Sequence, residues 1–227
     1  FKFNKRQEDY VQEYLDRKVY HPSDGCPGPK EIEIADEVVL ILIDTQWWLH
    51  KYDKGRGEID DCHNSTIQDF MLAFKESLKS NRSKHVIVAA HHPMYSNGVH
   101  GGYFTLKDHL FTLSNLNSNL YIPIPILGSI YPFYRSFFGN IQDIPNPVYQ
   151  QMKTKITNEI NQYDNVIFVS GHEHNLQYFA TKNAHYIVSG SGCKVSNLRM
   201  NDNLDFGAEH AGFAKIEIFD KGETVLS

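Results

Sequence analysis

Residues Asn165–Gln177 read NVIFVSGHEHNLQ. The run Asn165–Val169 is β-branched and aromatic, bounded by Asp164 before it and by Ser170-Gly171 after it, which reads as a short buried strand. Two histidines one residue apart then follow. Side chains of an extended chain alternate, so His172 and His174 are expected to point one way and Glu173 the other, toward the surface or an outer contact. Two imidazoles aimed together from the C-terminal end of a strand supply half of a metal site. Taken alone, the same residues read first as two solvated loop histidines.

A second stretch changes that balance. Val86–Gly102 reads VIVAAHHPMYSNGVHGG, another strand-like run that ends in histidine. If the two strands are neighbours in one sheet, His91, His172 and His174 meet in one crevice at the strand ends. Three neutral imidazoles suit zinc, iron, manganese or nickel far better than calcium or magnesium. His92 alternates away from His91 and reads as a packing residue.

The surrounding chain is that of an ordinary globular protein of 227 residues, 41% hydrophobic and 22% charged. Its formal net charge is -5 and no Lys/Arg block occurs, so nucleic acid is not expected as a partner. A helix is expected over residues 3–18, with Tyr10, Val11, Tyr14 and Leu15 on one face. EVVLILIDT (37–45) reads as a strand buried on both faces. A helix over 64–81 is expected to start at Asn64 or Ser65 and to turn Ile67, Phe70, Met71, Phe74 and Leu78 inward. Another, over 147–163, carries Val148, Met152, Ile156 and Ile160 at helical spacing. Short strands follow around LQYFAT and HYIVSG, with a closing strand at 212–219. Strands alternating with helices predict an α/β architecture with its chemistry at strand C-termini.

Residues 99–146 read as one long irregular loop or lid. Within it, residues 120–138 nearly match a membrane span in length, but three prolines and an arginine argue against a transmembrane helix. A lid is the first reading; the second is an aromatic surface resting on a lipid, a partner domain or an apolar substrate group. Cys26 and Cys62 are compatible both with one disulfide and with reduced thiols. Trp47 and Trp48 read as core residues.

A strand followed by His-x-Pro, and later a strand followed by Gly-His-x-His, resembles the second half of the calcineurin-like metallophosphoesterases. The stretch His91-His92-Pro93-Met94-Tyr95-Ser96-Asn97-Gly98-Val99-His100 is similar to their purple-acid-phosphatase branch, in which another histidine follows nine positions on. DTQWW, GCPGP and GGYF are similar to members from bacterial envelopes. The resemblance implies an α/β/β/α sandwich of two packed mixed sheets. It also implies a dinuclear centre of two ions drawn from Fe, Mn, Zn or Ni, with His91 and His172 on the second metal and His174 on the first. The reaction implied is attack of a metal-bridging hydroxide on a phosphomonoester or phosphodiester. His100 is then the candidate for phosphate contact or protonation of the leaving oxygen, with Asn97 as a second phosphate contact. An extracytoplasmic location follows from the same resemblance.

The chain departs from the family in its first half, where Gly-Asp-x-x-Asp and Gly-Asn-His-Asp/Glu are not found. Asp61-Cys62-His63 and Asp108-His109 are fragments of Asp-x-His in loop or pre-helix settings, and Asp44 reads as structural. The expectation is a single partial domain, residues 1–227, that lacks its N-terminal βαβ portion and depends on an upstream segment of a longer protein for full activity. The alternative is a non-catalytic envelope module that keeps the fold and docks through 120–138.

Overall fold

A computed structural model describes residues 2–23, 25–51, 62, 64–115, 119–219 and 223–227. The helices are α1 (Lys2–Leu15), α2 (Thr45–Leu49), α3 (Ile67–Ser80), α4 (Leu106–Leu110), α5 (Ile130–Phe137) and α6 (Pro147–Ile160). The strands are β1 (Lys30–Ala35), β2 (Val38–Leu42), β3 (His85–Ala90), β4 (Val166–Ser170), β5 (Leu176–Ala180), β6 (Ala184–Ser189), β7 (Phe206–Ala208), β8 (Ile216–Ile218) and β9 (Thr224–Leu226). Seven strands make one mixed sheet in the order β1-β2-β3-β4-β6-β5-β7, and β8-β9 form a separate pair. The α/β class expected from the sequence is therefore the class observed.

By chain contacts the protein divides into two compact units. The first comprises Phe1–His92, Lys155–Val169 and Lys182–His185. Here β1 runs antiparallel to β2 and β2 parallel to β3, with Val38 opposite His85 and Leu42 opposite Ala89. The Val86 N–H donates to Asn165 O, so β3 and β4 start level with each other. Along β2 and β3 every second residue, Val39, Ile41, Val86 and Val88, is fully buried, while the residues between are half-buried. The run 37–45 was expected to be buried on both faces; instead one face is sealed more completely than the other. Helix α3 crosses between β2 and β3 and supplies Phe70, Phe74 and Leu78 to this core. Its N-cap is Thr66, one residue beyond the expected start, because Thr66 and Asp69 close a reciprocal capping box. Trp47 and Trp48 are core residues, as expected, and Trp48 meets Phe70 edge-on. The face of α1 behaves otherwise. Tyr10 and Tyr14 stack on each other and remain exposed.

The second unit comprises Pro93–Thr154, Ser170–Thr181 and Tyr186–Ser227. It pairs β5 with β7 and β8 with β9, both antiparallel. Residues 99–146, read from sequence as irregular, contain α4 and α5. The fold of this stretch is held by backbone contacts that have no sequence period: Ile124 N–H donates to Leu110 O, and Gly128 sits so close to His109 O that a β-carbon would stand 2.3 Å from it. On α6 the buried face begins at Tyr149 rather than Val148, which is exposed.

The structure settles the cysteine question in favour of a Cys26–Cys62 disulfide, which links residues 36 positions apart. Such a bond restricts the unfolded chain by roughly 4 kcal/mol on the loop-entropy account. A Cys26→Ser, Cys62→Ser double variant should unfold at markedly lower denaturant than the oxidised chain. An unchanged midpoint would show that the bond does not constrain the unfolded state.

Candidate functional site

In the first unit the chain leaves β2 and β3 through Asp44-Thr45 and His91-His92. The Asp44 carboxylate accepts from Trp47 N–H at 3.1 Å and caps α2, so Asp44 has a structural task, as expected. Burial raises its pKa, opposed by the backbone donors of Trp47 and Gln46 and by His50 and His91 nearby. Thr45 Oγ1 accepts from the His92 backbone N–H at 3.2 Å and lies 2.8 Å from His92 Nδ1. His92 is fully buried, and its ring meets that of His91 edge-on at 4.8 Å. Thr45 thus fixes the plane of one imidazole, and that ring in turn supports the other.

In the second unit the loop after β3 folds onto the turn after β4. The Tyr149 hydroxyl donates to Pro93 O at 2.7 Å, anchoring the start of the loop. The Glu173 carboxylate then accepts from Ser96 Oγ at 3.0 Å and from the His100 backbone N–H at 2.5 Å. Glu173 is buried, so of its two expected settings, surface or outer contact, the structure shows the second. His172 has φ 68°, so the chain is not extended there and strand alternation does not set the direction of Glu173. A β-carbon on Gly98 would stand 2.3 Å from Glu173 Oε2, and one on Gly190 would stand 1.9 Å from the Glu173 carbonyl oxygen. Only glycine admits the Glu173 side chain and backbone at those two points.

His100 occupies a short 3-10 turn (Val99–Gly101). Its Nδ1 lies 2.8 Å from Asp143 Oδ1. The Asp143 carboxylate also accepts from Arg135 Nε and from Asn140 N–H, and it is paired with Arg135 Nη2. Burial pushes the Asp143 pKa up, but the bonds from His100, Arg135 and Asn140 outweigh it and hold the pKa down at about 2. An ionised carboxylate only accepts, so His100 Nδ1 carries the hydrogen and the neutral ring keeps its lone pair on Nε2. The His100 ring lies 4.0 Å from that of His172, centre to centre. His172 Nε2 lies 3.0 Å from Gln142 O, a pure acceptor, so Nε2 donates and Nδ1 retains the lone pair.

Of the other residues singled out from sequence, Asn97 is buried. Its amide donates to Asn201 Oδ1 and Asn203 Oδ1, while its backbone N–H donates to Gln177 Oε1. His174 is half-buried, and its carbonyl accepts from Ser196 N–H at 2.7 Å. Asp108 is the third residue of α4 and closes a reciprocal capping box with the N-cap Thr105. Asp61 and His63 lie outside the described residues. Sequence reasoning did not single out Asp143 and Arg135. One signal was present for Arg135, the sole charge in the apolar run 120–138. A lone charge among apolar residues implies a buried partner. Asp143 carries no signal of its own.

A depressed carboxylate pKa stabilises the fold fully above the ordinary value of 3.8 and loses that contribution as pH falls toward about 2. The acid limb should therefore cost about 2 kcal/mol between those values. Asp143→Asn should lack this slope and, with Arg135 left uncompensated, should be less stable at neutral pH by roughly 3 kcal/mol in denaturant titration. Equal stability of the two proteins at neutral pH would show that the pair is not a structural anchor.

No family model and no curated protein matches the chain. Among solved structures it is similar to "GAP50 the anchor in the inner membrane complex of Plasmodium", at 15% identity and a TM-score of 0.46, over 87% of this chain and 47% of that one. It is also similar to the structure of PhoD, at 13% identity and a TM-score of 0.48, over 94% of this chain and 41% of that one. The chain spans less than half the length of either protein.

Proposed function

We propose that this chain is the histidine-bearing part of a metal-dependent phosphoesterase of the calcineurin-like type, acting on a phosphomonoester or phosphodiester. The observation that carries the reading is the His100–Asp143–Arg135 arrangement. It is a half-exposed imidazole with its Nδ1 hydrogen fixed by a buried, ionised carboxylate. That is the pairing a proton-transferring histidine requires.

The metal side of the reading rests on donor chemistry. His91, His92 and His172 are the candidate imidazole donors. The His172 ring donates from Nε2 to a backbone carbonyl, as metal-bound histidines do with their second nitrogen. An all-imidazole set fits zinc, iron, manganese or nickel. In the full proposal His91 and His172 serve one ion and His174 a second, with carboxylates contributed from an upstream segment of the same protein. Two such cations would acidify a water and offset the charge of the phosphoryl oxygens.

The chain's own residues do the remaining work. Asp143 holds His100 in the tautomer that leaves Nε2 as the acceptor. Arg135 and Asn140 hold Asp143, and Glu173 fixes the His100 backbone. When protonated, His100 donates from Nε2 to a phosphate or leaving-group oxygen. Asn97, on the same loop, is buried with its amide donated to Asn201 and Asn203, so it sets the position of the stretch that carries His100 rather than meeting phosphate as expected from sequence. The Cys26–Cys62 disulfide supports an oxidising, extracytoplasmic location. A second reading, a non-catalytic docking module, is favoured by the exposed aromatic segment 120–138.

Dialysis against Zn(II) or Mn(II), followed by elemental analysis, separates the two. The chain should retain metal, and His91→Ala and His172→Ala should each weaken retention at least ~10-fold. p-Nitrophenyl phosphate turnover by this chain should be weak, metal-dependent and lost in His172→Ala. Metal retention that neither substitution changes would sink the phosphoesterase reading.

A further inference from the structure

The segment between α4 and α6 contains an apolar surface that the candidate site does not use. Eleven large aliphatic or aromatic side chains between 120 and 138 are exposed, among them Ile126 at 87%, Phe137 at 72% and Leu127 at 67%. Single exposed apolar residues are ordinary, but a contiguous run of them marks a surface that meets another apolar phase. Helix α5 is two-sided. Pro132 is buried and Arg135 turns inward to Asp143, while Ile130, Phe133 and Phe137 face outward. Its one cation is thus already engaged, and the outward face is left entirely aromatic and aliphatic.

Charge distinguishes among the possible occupants. The chain holds 27 Asp and Glu, yet none occurs between Asp108 and Asp143. Those two flanking acids are themselves engaged, Asp108 in capping α4 and Asp143 in the buried pair with Arg135. The cation adjoining the patch is Lys107, whose ammonium lies 5.1 Å from the centre of the Tyr121 ring. Residues 120–138 thus carry no carboxylate of their own, and a lysine lies beside them. Tyr121, Tyr131 and Tyr134 add hydroxyls to apolar rings, a chemistry suited to the boundary between headgroups and acyl chains. A segment free of carboxylates with a lysine at its edge complements a negatively charged bilayer, which attracts lysine and repels carboxylates.

We propose that residues 120–138 form a docking surface for an anionic lipid bilayer, with Ile126, Leu127, Phe133 and Phe137 entering the interface and Lys107 at the headgroup level. The surface stands on its own observations and holds whether or not the site is an esterase.

Sedimentation with vesicles tests it. The chain should co-sediment with vesicles of phosphatidylcholine and phosphatidylglycerol, and less well with phosphatidylcholine alone. Ile126→Ser with Phe137→Glu should lower partitioning at least ~10-fold, with circular dichroism and melting unchanged. Lys107→Glu should weaken binding to the anionic vesicles only, and added salt should do the same. If the double variant fails to fold, Ile126→Ser alone, at the most exposed position, should still reduce partitioning. Absence of binding to either vesicle, or binding indifferent to these substitutions, overturns the proposal. So does a concentration-dependent dimer, seen by light scattering, that the same double variant abolishes, since the occupant would then be a second copy of the chain.

Discussion

Two carboxylates buried in the second unit, Asp143 and Glu173, constrain everything around them. A carboxylate removed from water costs several kcal/mol unless charge and hydrogen-bond donors replace its hydration. Asp143 is supplied by Arg135, His100 and Asn140, and Glu173 by Ser96 and the His100 backbone. These two sets of bonds share His100. Its side chain answers one carboxylate and its backbone the other, so its position is fixed from two sides.

The same demand explains the glycines. Gly98 and Gly190 stand where any β-carbon would strike Glu173. The close approach of the loops follows from the need to enclose that carboxylate with donors. The left-handed backbone at His172 belongs to this packing as well, since it turns the chain out of the strand's path. A non-glycine residue in that region is disfavoured by about 1–2 kcal/mol. That cost is offset only because the surrounding bonds hold the turn. Backbone strain of this kind is common at functional sites, and here it coincides with a candidate ligand.

Helix α5 connects two otherwise separate features. Its inner side presents Arg135 to Asp143, and its outer side presents Phe133 and Phe137 to the outside. A short amphipathic helix cannot be stable alone at eight residues. Its buried ion pair and the contact of Ser136 with Gly102 hold it to the unit instead. Of the outer face, Phe133 meets the His109 ring at 5.3 Å, while Ile130 and Phe137 remain largely exposed.

What the amino-acid order determined by itself was the alternation of strands and helices, and the two histidine-bearing turns that end β3 and β4. Those features are local: apolar runs of strand length and helical periodicity report burial of one face, and His-x-Pro and Gly-His-x-His report a turn. The sequence also marked 120–138 as apolar without being a membrane span, because its prolines and arginine are visible in one dimension. Tertiary structure alone decided between a surface and an enclosed Glu173, since a φ of 68° at His172 takes the chain out of the extended form in which side chains alternate. It alone joined Asp143 and Arg135 to His100, across 43 residues in the case of Asp143. Ion pairs of that separation leave no period in the sequence. They are set by which loops the buried charges draw together.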